Sequence, residues 1–216
     1  MFCDLHAEAL TDYMLIGLQR TFARGERIFE EDDWCRGVFI ICTGQVKLSC
    51  TSRGGKTLIS KIGVPGDILG LGAVISGSTY EARAEPLMPT VVKNIQRIEF
   101  LTFLQKYPEA SLHAALALSE DYKTAFVNAR RLTLSKSVGG RLAGALLERG
   151  KAAASCGKSE MRFTMALTHE ELGNSIGTSR ETLTRTIGRF KKEGLIQVRG
   201  SSIHILAANR LEKLAC

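Results

Sequence analysis

The run Leu167-Thr-His-Glu-Glu-Leu-Gly-Asn-Ser-Ile-Gly-Thr-Ser-Arg-Glu-Thr-Leu-Thr-Arg-Thr-Ile-Gly-Arg-Phe-Lys-Lys-Glu-Gly-Leu-Ile-Gln-Val-Arg199 spells two short helices and the start of a hairpin. Thr168 with Glu171 three residues later is a capping box, in which each side chain bonds the other's backbone N–H, so a helix begins there. Leu172 and Ile176 lie four apart on its inner face. Gly177 then stops it, because glycine takes the left-handed conformation that closes a helix. Thr178 with Glu181 reads as a second capping box. Leu183, Ile187 and Phe190 form the buried stripe of the second helix, and Gly194 ends it. Two helices joined by a tight turn, the second one basic, make a helix-turn-helix. Leu195-Ile-Gln-Val198, the turn Arg199-Gly-Ser-Ser202 and Ile203-His-Ile205 add a hairpin, the wing.

The second helix exposes Arg180, Glu181, Thr184, Arg185 and Arg189. In a major groove an arginine bonds guanine O6 and N7 together, and a glutamate accepts from the cytosine amine. Arg180, Glu181, Thr184 and Arg185 are therefore the expected base-contacting set. Thr168, His169, Ser179, Thr182, Arg189, Arg199 and Ser201 stand where helix N-termini, hydroxyls and a wing tip meet phosphates. The bland alternative for Glu181 and Arg185 is a solvated ion pair four residues apart. Charge favours the nucleic acid. Residues 1–108 hold 12 Lys+Arg and 12 Asp+Glu, and residues 109–135 hold three of each. Residues 136–216 hold 14 against 7, so the whole net charge of +7 lies there. A neutral first part joined to a basic last part suggests that one domain senses and the other meets a polyanion.

Upstream, residues 18–98 alternate short apolar runs with turns at Arg24-Gly25, Arg36-Gly37, Thr43-Gly44, Arg53-Gly54-Gly55, Pro65-Gly66 and Ser76-Gly77. Strands spaced this way predict an antiparallel sandwich, barrel or roll. Residues 98–150 read as helical. After Pro108, Ala115, Leu118, Tyr122, Ala125, Ala129 and Leu132 recur at spacings of 3 and 4, a heptad seam for a dimer. The competing reading is an amphipathic helix packed on its own domain. Gly139-Gly140 reads as a break before a helix from Arg141 to Glu148. A loop Ala153-Ala-Ser-Cys-Gly157 and a strand at Met161-Arg-Phe-Thr-Met165 follow.

These residues resemble the Crp–Fnr family of bacterial regulators, named for the cyclic-AMP receptor protein and the fumarate–nitrate reduction regulator. The match is closest in Thr168-His-Glu-Glu-Leu-Gly173 and Thr178-Ser-Arg-Glu-Thr-Leu-Thr-Arg185. The resemblance implies an α+β chain of three parts. Residues 1–107 would form an antiparallel β-roll of jelly-roll type, 108–135 a dimerisation helix, and 136–216 a winged helix-turn-helix. It implies a homodimer on a palindromic, TGTGA-like operator and contact with RNA polymerase. Two readings of the sensor stand side by side: an effector or redox event in the roll that drives a bistable switch hinged near residues 135–140, or a constitutive regulator with a vestigial, ligand-free sensor. A cyclic-nucleotide-binding module is the alternative of another class. With no export signal read, the cytoplasm is the expected compartment. Thr184 departs from the Gly usual in cyclic-AMP receptors.

The family's ligand cassette is degenerate here. The pocket positions are Gly70, Leu71, Gly72, Ala73, Tyr80, Glu81, Ala82, Ala125 and Phe126. Leu71 replaces the Glu that holds a ribose, and Tyr80-Glu81 replace the Arg-Ser that holds a cyclic phosphate. Arg83, an odd number of positions from Tyr80, points to the other strand face. Cyclic AMP is therefore not the expected effector, which stays unidentified. Cys3 alone precedes Cys35, so the N-terminal cysteine cluster of the oxygen-sensing branch is not expected. No cofactor is predicted. Haem on His6 or His113, or thiol sensing at Cys35, Cys42 or Cys50, remain minor alternatives beside packing roles. His204 falls in the wing. No apolar run is long enough for a membrane span. No export signal, CxxC pair or nucleophile–base pair appears, which argues for reduced thiols and against an enzyme.

Overall fold

The computed structural model describes residues 5–135, 137–155 (Ser155 by its backbone alone) and 161–215. Cys3, Lys136, Cys156, Gly157 and Cys216, named in the reading above or within its ranges, lie outside the described residues. The chain divides into two units, Met1–Ala125 and Phe126–Cys216.

In the first unit α1 (Ala7–Leu15) precedes β1 (Leu18–Phe22), β2 (Gly37–Thr43), β3 (Val46–Thr51), β4 (Thr57–Gly63) and β5 (Ile68–Leu69). Then come α2 (Leu71–Ser76), β6 (Arg83–Pro86), β7 (Thr90–Gln96), α3 (Arg97–Lys106) and most of α4 (Pro108–Leu134). The strands form two antiparallel sheets, ordered β1-β7-β2-β5 and β4-β3-β6. The apolar run Val38-Phe-Ile-Ile41 shows why. Successive side chains on a strand face opposite ways. Phe39 and Ile41 join Val46 and Ala84 of the second sheet in one core, while Val38 and Ile40 join Phe100, Phe103 and Tyr107 in another, beneath the helices. A continuous apolar run thus serves a strand covered on both faces. Lys93 of β7 is buried too; its ammonium donates to the carbonyl of Tyr13 (2.5 Å) and lies over that ring, tying α1 to the sheet.

The degenerate cassette is packed with the protein's own side chains. Tyr80 is buried, donates its hydroxyl proton to Gly37 O at 2.8 Å, and stacks on Phe29 with ring centroids 4.0 Å apart. Phe39 continues the aromatic cluster, 5.4 Å from Phe29. Gly70, at φ +76°, leaves room for the Tyr80 ring, which a Cβ there would approach to 2.6 Å. The sequence reading places no helix in the cassette; the structure puts Leu71, Gly72 and Ala73 in α2, with Leu71 and Ala73 buried. Glu81 is exposed and Ala82 half-buried. Arg83 does turn elsewhere: its guanidinium grips the Glu30 carboxylate at 2.9–3.1 Å.

Helix α4 divides its faces differently from the heptad reading. Ala110, Ala114, Ala117 and Leu118 pack on the first unit's core. The exposed apolar stripe runs through Leu112, Ala115, Leu116, Tyr122, Phe126 and Ala129, with Ala125 also exposed. At 100° per residue Leu118 and Leu132 lie about 60° and 100° round the helix from Ala115, on the side of Ala110 and Ala114, so the seam's members divide between the packed face and the exposed stripe. Phe126, assigned to the pocket by resemblance, is thus part of the exposed stripe.

The second unit takes the end of α4, then α5 (Val138–Ser155), β8 (Arg162–Thr164), α6 (His169–Ser175), α7 (Arg180–Lys192), β9 (Ile196–Arg199), β10 (Ser202–Ile205) and α8 (Ala208–Ala215). The sheet order is β8-β10-β9. Two expectations are corrected here. Gly139-Gly140 is no break but lies in the first turn of α5, where a Cβ on Gly140 would stand 2.6 Å from Leu214 O of α8. Ala153–Ser155 of the expected loop are still helical. No helix among the described residues is long and apolar enough to cross a membrane.

The link between α6 and α7 is a closed turn. Gly177 takes φ +65°, and Thr178 N–H reaches back to Gly173 O at 3.0 Å. This is the six-to-one bond of a Schellman cap. Thr178 is therefore still finishing α6, so the capping box expected at Thr178 and Glu181 is not made. Ser179 caps α7 instead, its Oγ accepting from Thr182 N–H at 3.3 Å. The Thr168–Glu171 box forms as expected. Substituting Gly177 by Ala should cost about 1–2 kcal/mol, because the left-handed backbone is strained for an L side chain. The added Cβ would also stand 3.0 Å from Leu132 Cδ2. Scanning calorimetry is the suitable probe, since the single Trp lies at position 34, in the other unit. A variant as stable as the parent would contradict this account of the turn.

Candidate nucleic-acid interface

Helix α7 separates its residues by face. Leu183, Thr186, Ile187 and Phe190 are buried, and the Thr186 hydroxyl is satisfied by Thr182 O at 2.8 Å. Arg180, Glu181, Thr184, Arg185 and Arg189 are exposed. Positions 180, 181, 184, 185 and 188 fall within about 140° of one another at 100° per residue. The four expected base readers thus share one side, with Gly188 adding no side chain at its far end.

The N-terminal half of this face is ordered by short-range bonds. The Glu181 carboxyl is held below the ordinary carboxylate range first by its own backbone N–H, then by Ser179 and by the charges of Arg180 and Arg185. Positive potential at a helix N-terminus acts the same way. Arg185 donates weakly to Thr182 Oγ1 at 3.4 Å, which also receives the Ser179 hydroxyl at 3.2 Å. Thr184 donates its proton to Arg180 O at 2.8 Å and lies 3.1 Å from His169 Nδ1.

The expected phosphate contacts fall into two groups. The hydroxyls of Thr168, Ser179 and Thr182 are engaged in helix capping. Arg199 and Ser201 are exposed at the wing tip, on either side of Gly200 at φ +57°. Arg189 is exposed, within 3.9 Å of Glu193, and its guanidinium lies close enough to Gly139 of α5 that a Cβ there would meet it at 2.6 Å. His169 is exposed at the start of α6.

Two features escape any local reading of the sequence. Arg141 of α5 donates through Nε to Ile176 O at 2.7 Å and through Nη2 to Gly177 O at 3.5 Å, capping the C-terminus of α6 from 35 residues away. Leu132, an expected dimer-seam residue, instead touches the same turn at Gly177. The turn that sets α6 against α7 is thereby held by a charge on one helix and an apolar side chain on another. Neither contact has a spacing signal, because each joins elements distant in the chain.

The minor cofactor candidates are not brought together. His6 pairs with Glu109, His169 bonds Thr184, and His113 and His204 are half-buried in α4 and β10. Cys35, Cys42 and Cys50 are half-buried free thiols. Burial pushes the Cys35 and Cys50 thiols up, away from the thiolate form that reacts with oxidants. Among the described residues no three His, Cys, Asp or Glu side chains form a group that could hold a metal.

Two family models match. Residues 19–107 match the cyclic nucleotide-binding domain and residues 140–214 the Crp-like helix-turn-helix domain. The chain is 27% identical over 201 residues to the regulatory protein HlyX of Actinobacillus pleuropneumoniae, covering 93% of this chain and 81% of that one. It is 28% identical over 199 residues to the transcriptional activator protein anr of Pseudomonas aeruginosa, covering 91% and 80%. FixK2 from Bradyrhizobium japonicum has the same fold, with a TM-score of 0.82 over 93% of this chain and 98% of that one at 21% identity. The β-rich domain, the long helix, the capped helix pair and the wing, taken with these matches, make this chain a member of the Crp/Fnr family of DNA-binding transcription regulators, which are not enzymes.

Proposed function

We propose that the protein acts in the cytoplasm as a homodimer that reads a palindromic operator with TGTGA-like half-sites and contacts RNA polymerase. The observation that carries this reading is the α7 face: Arg180, Glu181, Thr184 and Arg185 exposed on one side of a helix whose other side is buried. Arg185 is suited to guanine O6 and N7, and Glu181, kept anionic, to a cytosine amine. Arg180 lies at the helix tip, which enters deepest. Arg189, Arg199 and Ser201 would meet phosphates, as would Thr168, Ser179 and Thr182, whose hydroxyls lie at the starts of α6 and α7. The exposed stripe of α4 through Leu112, Leu116, Tyr122 and Phe126 supports the dimer, and Ala115, Ala125 and Ala129 would allow two helices to approach closely. On this reading residues 1–107 sense, 108–135 pair and 136–216 bind DNA.

The sensor is read as closed to cyclic AMP. Tyr80, Phe29 and Phe39 fill the roll where a ligand would lie, and Arg83 is neutralised by Glu30. A cyclic phosphate buried there would lack a cationic partner, which is costly. The packing is compatible with two readings of the roll: a sensor gated by an effector other than cyclic AMP or by a redox signal, and a constitutive regulator whose roll is purely structural.

Two outcomes check these readings. Arg185→Ala should weaken binding to a duplex selected by the parent protein by about 1–3 kcal/mol and relax preference at one base pair, measured by fluorescence anisotropy. Unchanged specific binding would remove Arg185 from the base-reading set. Millimolar cyclic AMP should leave the calorimetric midpoint unmoved, whereas a ligand bound at micromolar Kd would raise it by mass action. Such a rise contradicts the closed sensor.

A further inference from the structure

The bond between His169 and Thr184 has a consequence for which base is read. Thr184 has one hydroxyl proton. The shorter of its two contacts, 2.8 Å to Arg180 O, takes that proton. At the longer contact, 3.1 Å, the Thr184 oxygen therefore accepts, and His169 donates from Nδ1. Threonine on a helix divides between two rotamers because its hydroxyl can bond the carbonyl one turn back. A second bond from His169 to the same oxygen selects one of them. With its proton given to Arg180 O and one of its two lone pairs taken by His169, Thr184 has no proton left to donate to a base, and its methyl is the apolar group it offers beyond the helix. The groups on either side of it on this face, Arg180, Glu181 and Arg185, are all charged.

We infer that His169 is a specificity-positioning residue: it fixes Thr184 so that a methyl, rather than a hydroxyl, faces the groove and selects a base pair bearing the thymine C5-methyl. This rests on the reading of α7 as the groove helix. An apolar contact with the thymine methyl is one of the few sequence marks that carry no hydrogen bond. Burying one methyl is worth about fourfold in affinity.

The test uses the full-length protein and a duplex that it selects from a random pool. Each thymine is then replaced in turn by uracil, which removes the methyl alone. The parent should lose about fourfold at one thymine per half-site. Thr184→Ser should show no such loss, and Thr184→Val, which keeps a methyl, should retain it. His169→Asn places an amide donor where Nδ1 stands and should keep the loss. His169→Gln, with its donor at the other ring nitrogen's position, and His169→Ala should reduce it to less than twofold. Calorimetric midpoints should stay level across these exposed-site variants. A flat uracil scan with specific binding intact overturns the inference. So does a His169→Ala variant that weakens all duplexes alike and shallows the salt dependence, which would make His169 a phosphate contact. Failure to select any sequence from the pool would instead overturn the groove reading itself.

Discussion

The closed turn from Ser175 to Ser179 fixes the angle between α6 and α7, and the rest of the DNA-facing half is arranged around it. A helix end leaves carbonyls without partners, and they must be satisfied or hydrated. Here Gly177 swings the chain left-handed so that Thr178 N–H returns to Gly173 O, and Arg141 donates to the carbonyls of Ile176 and Gly177. With that backbone bond and the guanidinium in place, the new helix is capped one residue later, at Ser179. Its phase follows from that start, and so does the side that Arg180, Glu181, Thr184 and Arg185 present.

The same turn touches the end of α4 through Leu132. A residue that heptad spacing assigns to a partner helix therefore packs against the DNA-binding domain of its own chain. In the other half of α4, Leu118 likewise belongs to the first unit's core. One helix thus lends side chains to both units and keeps a separate apolar stripe exposed. Arg131 adds to the second unit's share, reaching Glu148 of α5 at 2.7 Å.

Much of this architecture was legible because its signals are local. Thr168 with Glu171, the glycines at 177 and 194, the buried stripe of Leu183, Ile187 and Phe190, and the hairpin around Gly200 each depend on neighbours within a turn or two. Glycine-punctuated apolar runs gave the antiparallel sheets for the same reason. What stayed hidden depends on distant partners. Gly139-Gly140 looks like a break, but α8 crosses close by Gly140 and the Arg189 guanidinium lies against Gly139. Thr178 and Ser179 are equally good caps, and the bond closing α6 chooses between them. Tyr80 marks the loss of a phosphate site in the sequence; that it fills the space by stacking on Phe29 could be seen only once the chain had folded. The bond from His169 of α6 across to Thr184 of α7 likewise has no spacing signal in the sequence.

Methylation interference tests the central claim most directly, because it reports on guanine N7, which lies on the major-groove edge of the base. The account predicts that premethylated guanines block binding at two symmetric positions whose half-site centres lie about one helical turn apart, roughly 10–10.5 base pairs. It also predicts that Arg185→Ala removes that sensitivity at both. Interference confined to minor-groove adenine methylation, or at scattered positions without two-fold symmetry, would contradict it.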